Sequence, residues 1–266
     1  MTDVPYTHGH HESVLRSHRW RTAQNSAGYL LAHLAPGVSV LDIGCGPGTI
    51  TMDLARLVAP GSVVGIDRSE EAVGAARGLA EGSSGVSFEV GDLFSMRFAD
   101  SSFDVVHAHQ VLQHLEDPVG ALVEMARVCR SDGVVAVRDG DYASMTWYPE
   151  YPELDRWLDL YRRIARANGG EPDAGRRLVG WARAAGCTDT SASASAWCFA
   201  TPEDRRWWAE TWAERITVTA LADRVRELGL ADQEELEEIG RAWLRWAAEP
   251  DGWFSMIHGE LLCHPR

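Results

Sequence analysis

Short, almost uninterrupted apolar runs recur along the first half of the chain, at Val38–Ile43, Val63–Asp67, Val86–Val90, Phe103–His109 and Val134–Asp139. Valine, isoleucine and phenylalanine dominate them, and each gives way to glycine or a polar residue, which predicts strands. Between them, Thr49–Val58, Glu70–Leu79 and Pro118–Cys129 are each long enough to form a helix that crosses back over a sheet. This alternation predicts βαβ units and a parallel, doubly wound α/β sheet. Strands with so few polar positions suit a sheet covered on both faces. Ahead of the first run, Val14–Leu34 reads as one or two amphipathic helices closing the top of the sheet.

Beyond Asp139 the pattern changes. Ten of the eleven tryptophans follow residue 140, and helical signals take over at Pro152–Ala167 and Gly175–Ala185. Thr201-Pro202-Glu203-Asp204 is a helix start, with a threonine N-cap, proline in the first turn and acids facing the macrodipole. Asp232-x-x-Glu235 resembles a capping box. Thr190–Phe199 and Phe254–Cys263 are predicted as two late strands, an antiparallel pair that completes a seven-stranded sheet around a helical insertion. The expected organisation is an N-terminal helical cap over residues 1–35, a ligand-binding core over 36–140 and a Trp-rich substrate or lid region over 141–266.

The first strand leads into Gly44-Cys45-Gly46-Pro47-Gly48. Glycines there permit a positive-φ turn and let a ligand approach the backbone. A dinucleotide fingerprint needs Gly or Ala at the third helix-packing position, which here is Thr49. A nucleoside across the strand ends would next meet Asp67, 23 residues after Gly44. Its carboxylate can take both ribose hydroxyls, each bond worth about 1.5–3 kcal/mol. Asp92, in Gly91-Asp92-Leu93, can accept an adenine amino group.

The balance of 25 Lys+Arg against 39 Asp+Glu, a net charge of −14, repels a polyanion and disfavours nucleic acid as a partner. No apolar stretch is long enough to span a membrane, and the N-terminus lacks the features of a signal peptide. Five scattered cysteines fit neither a disulfide framework nor a metal knuckle. A cytoplasmic enzyme is the expectation. His8-Gly9-His10-His11 has the wrong spacing for a rigid metal site, so no metal is expected.

The segments Leu41–Gly48 (LDIGCGPG), Gly65–Ser69 (GIDRS), Gly91–Asp92 and Phe103–Pro118 (FDVVHAHQVLQHLEDP) resemble class I S-adenosylmethionine (SAM) dependent methyltransferases. The likeness is to the ubiquinone/menaquinone biosynthesis methyltransferase-like group and spans roughly residues 36–140. It implies a Rossmann-like seven-stranded class I methyltransferase sheet with N-terminal helices, a helical lid, and SAM as cofactor. It also implies that Gly44, Gly46, Asp67, Arg68, Asp92, Leu93 and His109 line the SAM pocket. Cys45 packs beside it, and His109-Gln110 reach the aminoacyl end. The Trp-rich half lies outside these motifs, so the quinone chemistry of the group is not carried over.

A base is needed only where the acceptor must lose a proton. His258, Asp139 and Asp141 are the candidates on the acceptor side, with Tyr142 close by. His114 reads as structural, and Arg21 as a surface residue that could reach the SAM carboxylate. Trp147, Tyr148, Trp197, Trp207, Trp208 and Trp212 could form an aromatic wall, although the spacing of Trp208 and Trp212 also suits a core. The leading expectation is methylation of a small, hydrophobic or aromatic metabolite at O, N or C. A repurposed or non-catalytic SAM-fold protein is the first alternative and a nicotinamide-dependent oxidoreductase the second.

Overall fold

The computed structural model describes residues 20–265. Its strands are β1 (Ser39–Ile43), β2 (Ser62–Asp67), β3 (Val86–Val90), β4 (Phe103–His109), β5 (Cys129–Gly140), β6 (Thr146–Tyr148), β7 (Asp189–Phe199) and β8 (Trp253–His264). They form one sheet in the order β3-β2-β1-β4-β5-β8-β6, with β7 also paired to β8. The first five strands are parallel neighbours, and β8 runs antiparallel to β5, β6 and β7. The sheet therefore has eight strands among the described residues, one more than the apolar runs predict. The addition, β6, is three residues long and largely exposed, too short to show a period.

Helices α1 (Ala23–Ser26), α2 (Thr49–Val58), α3 (Glu70–Leu79), α4 (Pro118–Val128), α5 (Pro152–Ala167), α6 (Leu178–Ala184), α7 (Pro202–Val218), α8 (Ala220–Glu227) and α9 (Gln233–Ala248) complete the fold. Of the one or two amphipathic helices expected over Val14–Leu34, the described part, from residue 20, forms only short elements. Thr22 and Asn25 close a capping box on the four-residue α1, and Gly28–His33 winds as a 3-10 turn. His8–His11 lies outside the described residues.

Alternating side chains build the two cores of the sheet, as a strand period of two dictates. Val135 and Val137 face Leu122, Met125, Leu178 and Ala182, whereas Val134 and Ala136 face Ala23, Ala27, Leu30 and Leu54. A third core lies in the Trp-rich half, where α5, α7 and α9 bury Trp157, Trp212, Trp243 and Trp246. The ring of Trp157 meets Trp212 at 4.5 Å and Trp243 at 4.8 Å, both edge to face. Trp208 and Trp212 are thus core residues.

Cys187 and Cys263 are disulfide-bonded across 76 residues, against the expectation of unpaired cysteines. Cys187 precedes β7, and Cys263 pairs with Thr190 of β7, so sheet register brings the thiols together where sequence spacing cannot.

Trp157→Ala opens a cavity that its aromatic neighbours cannot refill. The variant is expected to lose about 3–5 kcal/mol of unfolding free energy in urea titration. A loss below about 1 kcal/mol would show that this cluster does not hold the second half together.

Candidate active site

Asp42, at the penultimate position of β1, is buried below the glycine turn. Its Oδ2 accepts the Thr51 hydroxyl at 2.5 Å, and its Oδ1 lies 2.8 Å from Nδ1 of buried His107 in β4. Neither residue featured in the reading of the motifs. A charged residue and a histidine inside otherwise apolar strands were the available signal, because buried polar groups need partners.

Above them, Gly44, Gly46 and Gly48 all take positive φ. A Cβ on Gly44 would fall 2.4 Å from a methyl of Val111, and one on Gly48 within 2.9 Å of both Phe88 and Ala76. The Gly46 amide donates to Asp67 Oδ2 at 3.0 Å, and the Ser69 amide to Asp67 Oδ1 at 2.9 Å. Asp67 therefore ties the glycine turn to the start of α3. Cys45 is buried, and burial pushes its thiol pKa up, so it fills space as a small neutral side chain.

Asp92 follows β3, next to β2 in the sheet, and its Oδ1 accepts the Phe94 amide at 2.9 Å. Leu93 is buried and Arg68 is exposed. Gly44–Gly48, Asp67 and Asp92 thus follow three adjacent parallel strands at their carboxyl ends.

His109 and Gln110 end β4. His109 is buried, and neither ring nitrogen has a hydrogen-bond partner among the described residues. Burial first, then Arg21, Arg138 and His258, hold its pKa well below the usual imidazole range. Gln110 takes a φ of +55°. Its Oε1 accepts from Arg21 Nη2 at 2.5 Å, and its Nε2 sits 2.8 Å from His258 Nε2. His258 is fully buried opposite Gly140 of β5, its ring 4.3 Å from that of Trp197 and 6.2 Å from that of His109. Burial, then Arg138 and Arg21, push its pKa well down.

Asp139 and Asp141 are brought to the same edge, but their contacts are structural. The Gln113 amide donates to Asp139 Oδ1 at 3.1 Å, and Gln113 Oε1 accepts from the Gly140 amide at 3.0 Å. Asp141 is held by Arg176 in a two-point ion pair at 2.6 and 2.7 Å. Both carboxylate oxygens of Asp141 are thereby engaged by one guanidinium. Asp139 Oδ2 is buried with no hydrogen-bond partner among the described residues, whereas both oxygens of Asp141 are taken. His114 also fits a structural role, its Nε2 lying 3.1 Å from Gln113 Nε2, with burial pushing its pKa down to about 3.

Behind this edge, Arg138 and Glu260 form a buried ion pair at 3.2 Å, shared with the Ser195 hydroxyl. A cavity of about 370 Å³ opens beside them between Tyr29, Asn25, Ser193 and Glu260, away from the glycine turn. Among the described residues no group of three or more His, Cys, Asp or Glu could hold a metal, and no helix is long and apolar enough to cross a membrane.

A parallel sheet whose first strand opens through a positive-φ glycine turn, with acidic residues ending the next two, defines a Rossmann-like nucleoside-binding protein. A methyltransferase-domain family model matches residues 34–186. An uncharacterized methyltransferase of Schizosaccharomyces pombe is 35% identical over 97% of this chain and 95% of its own length. The chain belongs to the class I SAM-dependent methyltransferases. The YcgJ protein from Bacillus subtilis shares the fold, with a TM-score of 0.58 at 21% identity over 90% of this chain and 97% of that one. So does phosphoethanolamine N-methyltransferase 2 of Haemonchus contortus in complex with S-adenosylhomocysteine, at 0.55 and 19% over 88% of this chain and 50% of that one.

The residues present fit SAM. The turn has no room for a Cβ at Gly44, and His109 carries two unpartnered nitrogens next to the turn's strand. When bound, SAM supplies a methyl group on a sulfonium, with a neutral thioether as leaving group.

Burial pushes the Asp139 carboxyl up to about 7, partly opposed by backbone amides of residues 111–113. Its unfolded value is near 3.9, so the folded state binds the proton more tightly. The stabilisation that this proton confers is full below about pH 4, fades through pH 7 and is absent above it. Asp139→Asn keeps an oxygen for the Gln113 amide and is expected to flatten this dependence. Urea midpoints of wild type should fall between pH 5 and 8 by more than those of the variant; parallel curves would refute the assignment.

Proposed function

We propose that the protein transfers the methyl group of SAM to a small, hydrophobic or aromatic metabolite by in-line displacement. In this reading residues 36–140 hold the cofactor, and residues 141–266, with the N-terminal cap over 1–35, enclose the acceptor. Gly44, Cys45 and Gly46 form the cradle, with Asp67 and Arg68 beside the ribose and Asp92 and Leu93 beside the adenine. His109 and Gln110 reach the aminoacyl end. The observation that carries the acceptor class is the company kept by His258: a neutral imidazole without access to water, packed on Trp197 next to a second neutral imidazole. Groups of this kind match a flat, weakly polar molecule with one group to hydrogen-bond.

Alignment does most of the work for a leaving group this good. The protein's tasks are to fix the acceptor atom in line and to exclude water. His258 is the candidate base where the acceptor must lose a proton. Asp139 and Asp141 act at one remove, by holding the turns that carry Gln110–His114 and Tyr142.

Calorimetry should show SAM binding, and incubation with labelled SAM and a panel of phenolic, amino and enolic metabolites should release S-adenosylhomocysteine. Binding without any release, across the panel and cell extracts, would point to a non-catalytic role. Asp67→Ala removes a charge-assisted partner and loosens the glycine turn. Its SAM affinity should fall by about 10- to 150-fold, the equivalent of 1.5–3 kcal/mol. An unchanged affinity would remove Asp67 from the pocket.

A further inference from the structure

We propose that Arg21 and Gln110 are positioning residues that lock the ring of His258 in a single tautomer, presenting Nε2 as the proton acceptor for a hydroxyl or phenol. The inference deepens the acceptor reading above and rests on it for the substrate class, although the lock itself can be observed without any substrate.

The argument follows from donor and acceptor inventories. A guanidinium only donates. Arg21 Nη2 lies 2.5 Å from one end of the Gln110 carboxamide, so that end must be the oxygen. A flipped amide would set NH2 against the guanidinium, donor to donor. The other end, 2.8 Å from His258 Nε2, is therefore the NH2 group, which can only donate. His258 Nε2 must then hold a lone pair, and the single proton of the neutral ring sits on Nδ1. That nitrogen is buried and has no hydrogen-bond partner among the described residues, so the contact at Nε2 alone selects the tautomer. The orientation of an amide and the tautomer of a histidine are usually assigned by choice; here one arginine decides both.

The surroundings keep that ring neutral. Arg21 and Arg138 face it, His109 stands 6.2 Å away, and Trp197 covers it at 4.3 Å. Only the backbone of Met256 acts the other way, favouring the protonated ring. Gln110 is held in place by its backbone, whose amide donates to the Arg138 carbonyl at 2.7 Å. Its φ of +55° is uncommon outside glycine and sets this residue apart from a routine strand end.

An acceptor hydroxyl would take the place of the Gln110 NH2 at Nε2 and find the lone pair already aimed. In the transfer the acceptor oxygen bonds to the methyl carbon, the carbon–sulfur bond leaves its electron pair on sulfur, and the oxygen's proton moves to Nε2. The resulting imidazolium faces Arg21 and Arg138 and releases its proton to solvent once the product leaves. Acceptors that have no proton to lose would gain nothing from the lock.

The test is nitrogen NMR of protein labelled at histidine, with no cofactor added. Wild-type His258 should show a protonated Nδ1 and a bare Nε2, and should stay neutral well below the ordinary titration range near pH 6.5. Arg21→Met frees the amide to rotate and should give mixed tautomers, and Arg21→Lys should restore the single one. Gln110→Glu should raise the titration midpoint of His258 by more than one unit, by placing a carboxylate at Nε2. A wild-type ring protonated at Nε2, or an Arg21→Met spectrum identical to wild type in a folded variant, would overturn the proposal. Failure to find a methyl acceptor would leave these spectra unaffected, so the two readings fail separately. With a phenolic acceptor in hand, Arg21→Met should lower kcat without raising the KM for SAM. Equal losses on acceptors with and without an ionisable proton would also overturn it.

Discussion

The turns that follow β4 and β5 exchange hydrogen bonds, and the geometry of the site depends on that exchange. Asp139 at the end of β5 accepts from the Gln113 amide, while the Gln113 side chain accepts from the Gly140 amide. The Gln113 carbonyl accepts in turn from the Glu171 amide, which fastens the chain after α5 to the same point. Each of these groups is cut off from water, and leaving one unmatched costs about 1–3 kcal/mol. No member can move alone. His109 and Gln110 precede one turn, and β8 with His258 pairs beside the other, so the interlock fixes the distance between the end of β4 and β8.

The cofactor half was legible because its signals are local. Turn glycines, strand-ending acids and helix caps act within a few residues, and the ends of β3, β4, α2 and α3 fall where the pattern places them. Legibility failed where partners are distant in sequence. Asp42 meets His107 across 65 residues, Arg138 meets Glu260 across 122, and Cys187 meets Cys263 across 76. Only the register of the sheet brings such pairs together, and no spacing rule reports it. Sequence position placed Asp139 and Asp141 after the fifth strand, but it could not reveal that the Gln113 amide takes one oxygen of Asp139 and Arg176 takes both of Asp141.

The tryptophans mislead for a related reason. Composition suggests a ligand-facing wall, yet α5, α7 and α9 pack against one another and bury most of the rings. Trp157, Trp208 and Trp243 leave their indole N–H without a partner among the described residues. Such a cluster gives up hydrogen bonds for aromatic contact, each edge-to-face pair adding about 0.5–1.5 kcal/mol beyond area burial. Trp197 differs. Its indole donates to the Asn25 carbonyl at 2.9 Å, joining the N-terminal turn to β7, and its ring covers His258. One tryptophan of the expected wall stands where chemistry would use it.

Desolvation gives the site its electrical character. It raises the Asp139 carboxyl toward neutrality and lowers the imidazoles of His109, His114 and His258 toward the same end. A chain with a net charge of −14 thus carries, at its reactive edge, mostly uncharged groups and a few arginines. That balance suits transfer from a sulfonium. In the transfer proposed above, attack by an oxygen that is losing its proton spreads the one positive charge of the sulfonium rather than creating new charge. Water opposes such a change by solvating the concentrated cation more strongly than the transition state. A dry edge with fixed dipoles offers no such solvation of the ground state. For the transfer proposed above, a permanently charged base beside the acceptor would add an ion to desolvate, which a neutral imidazole avoids.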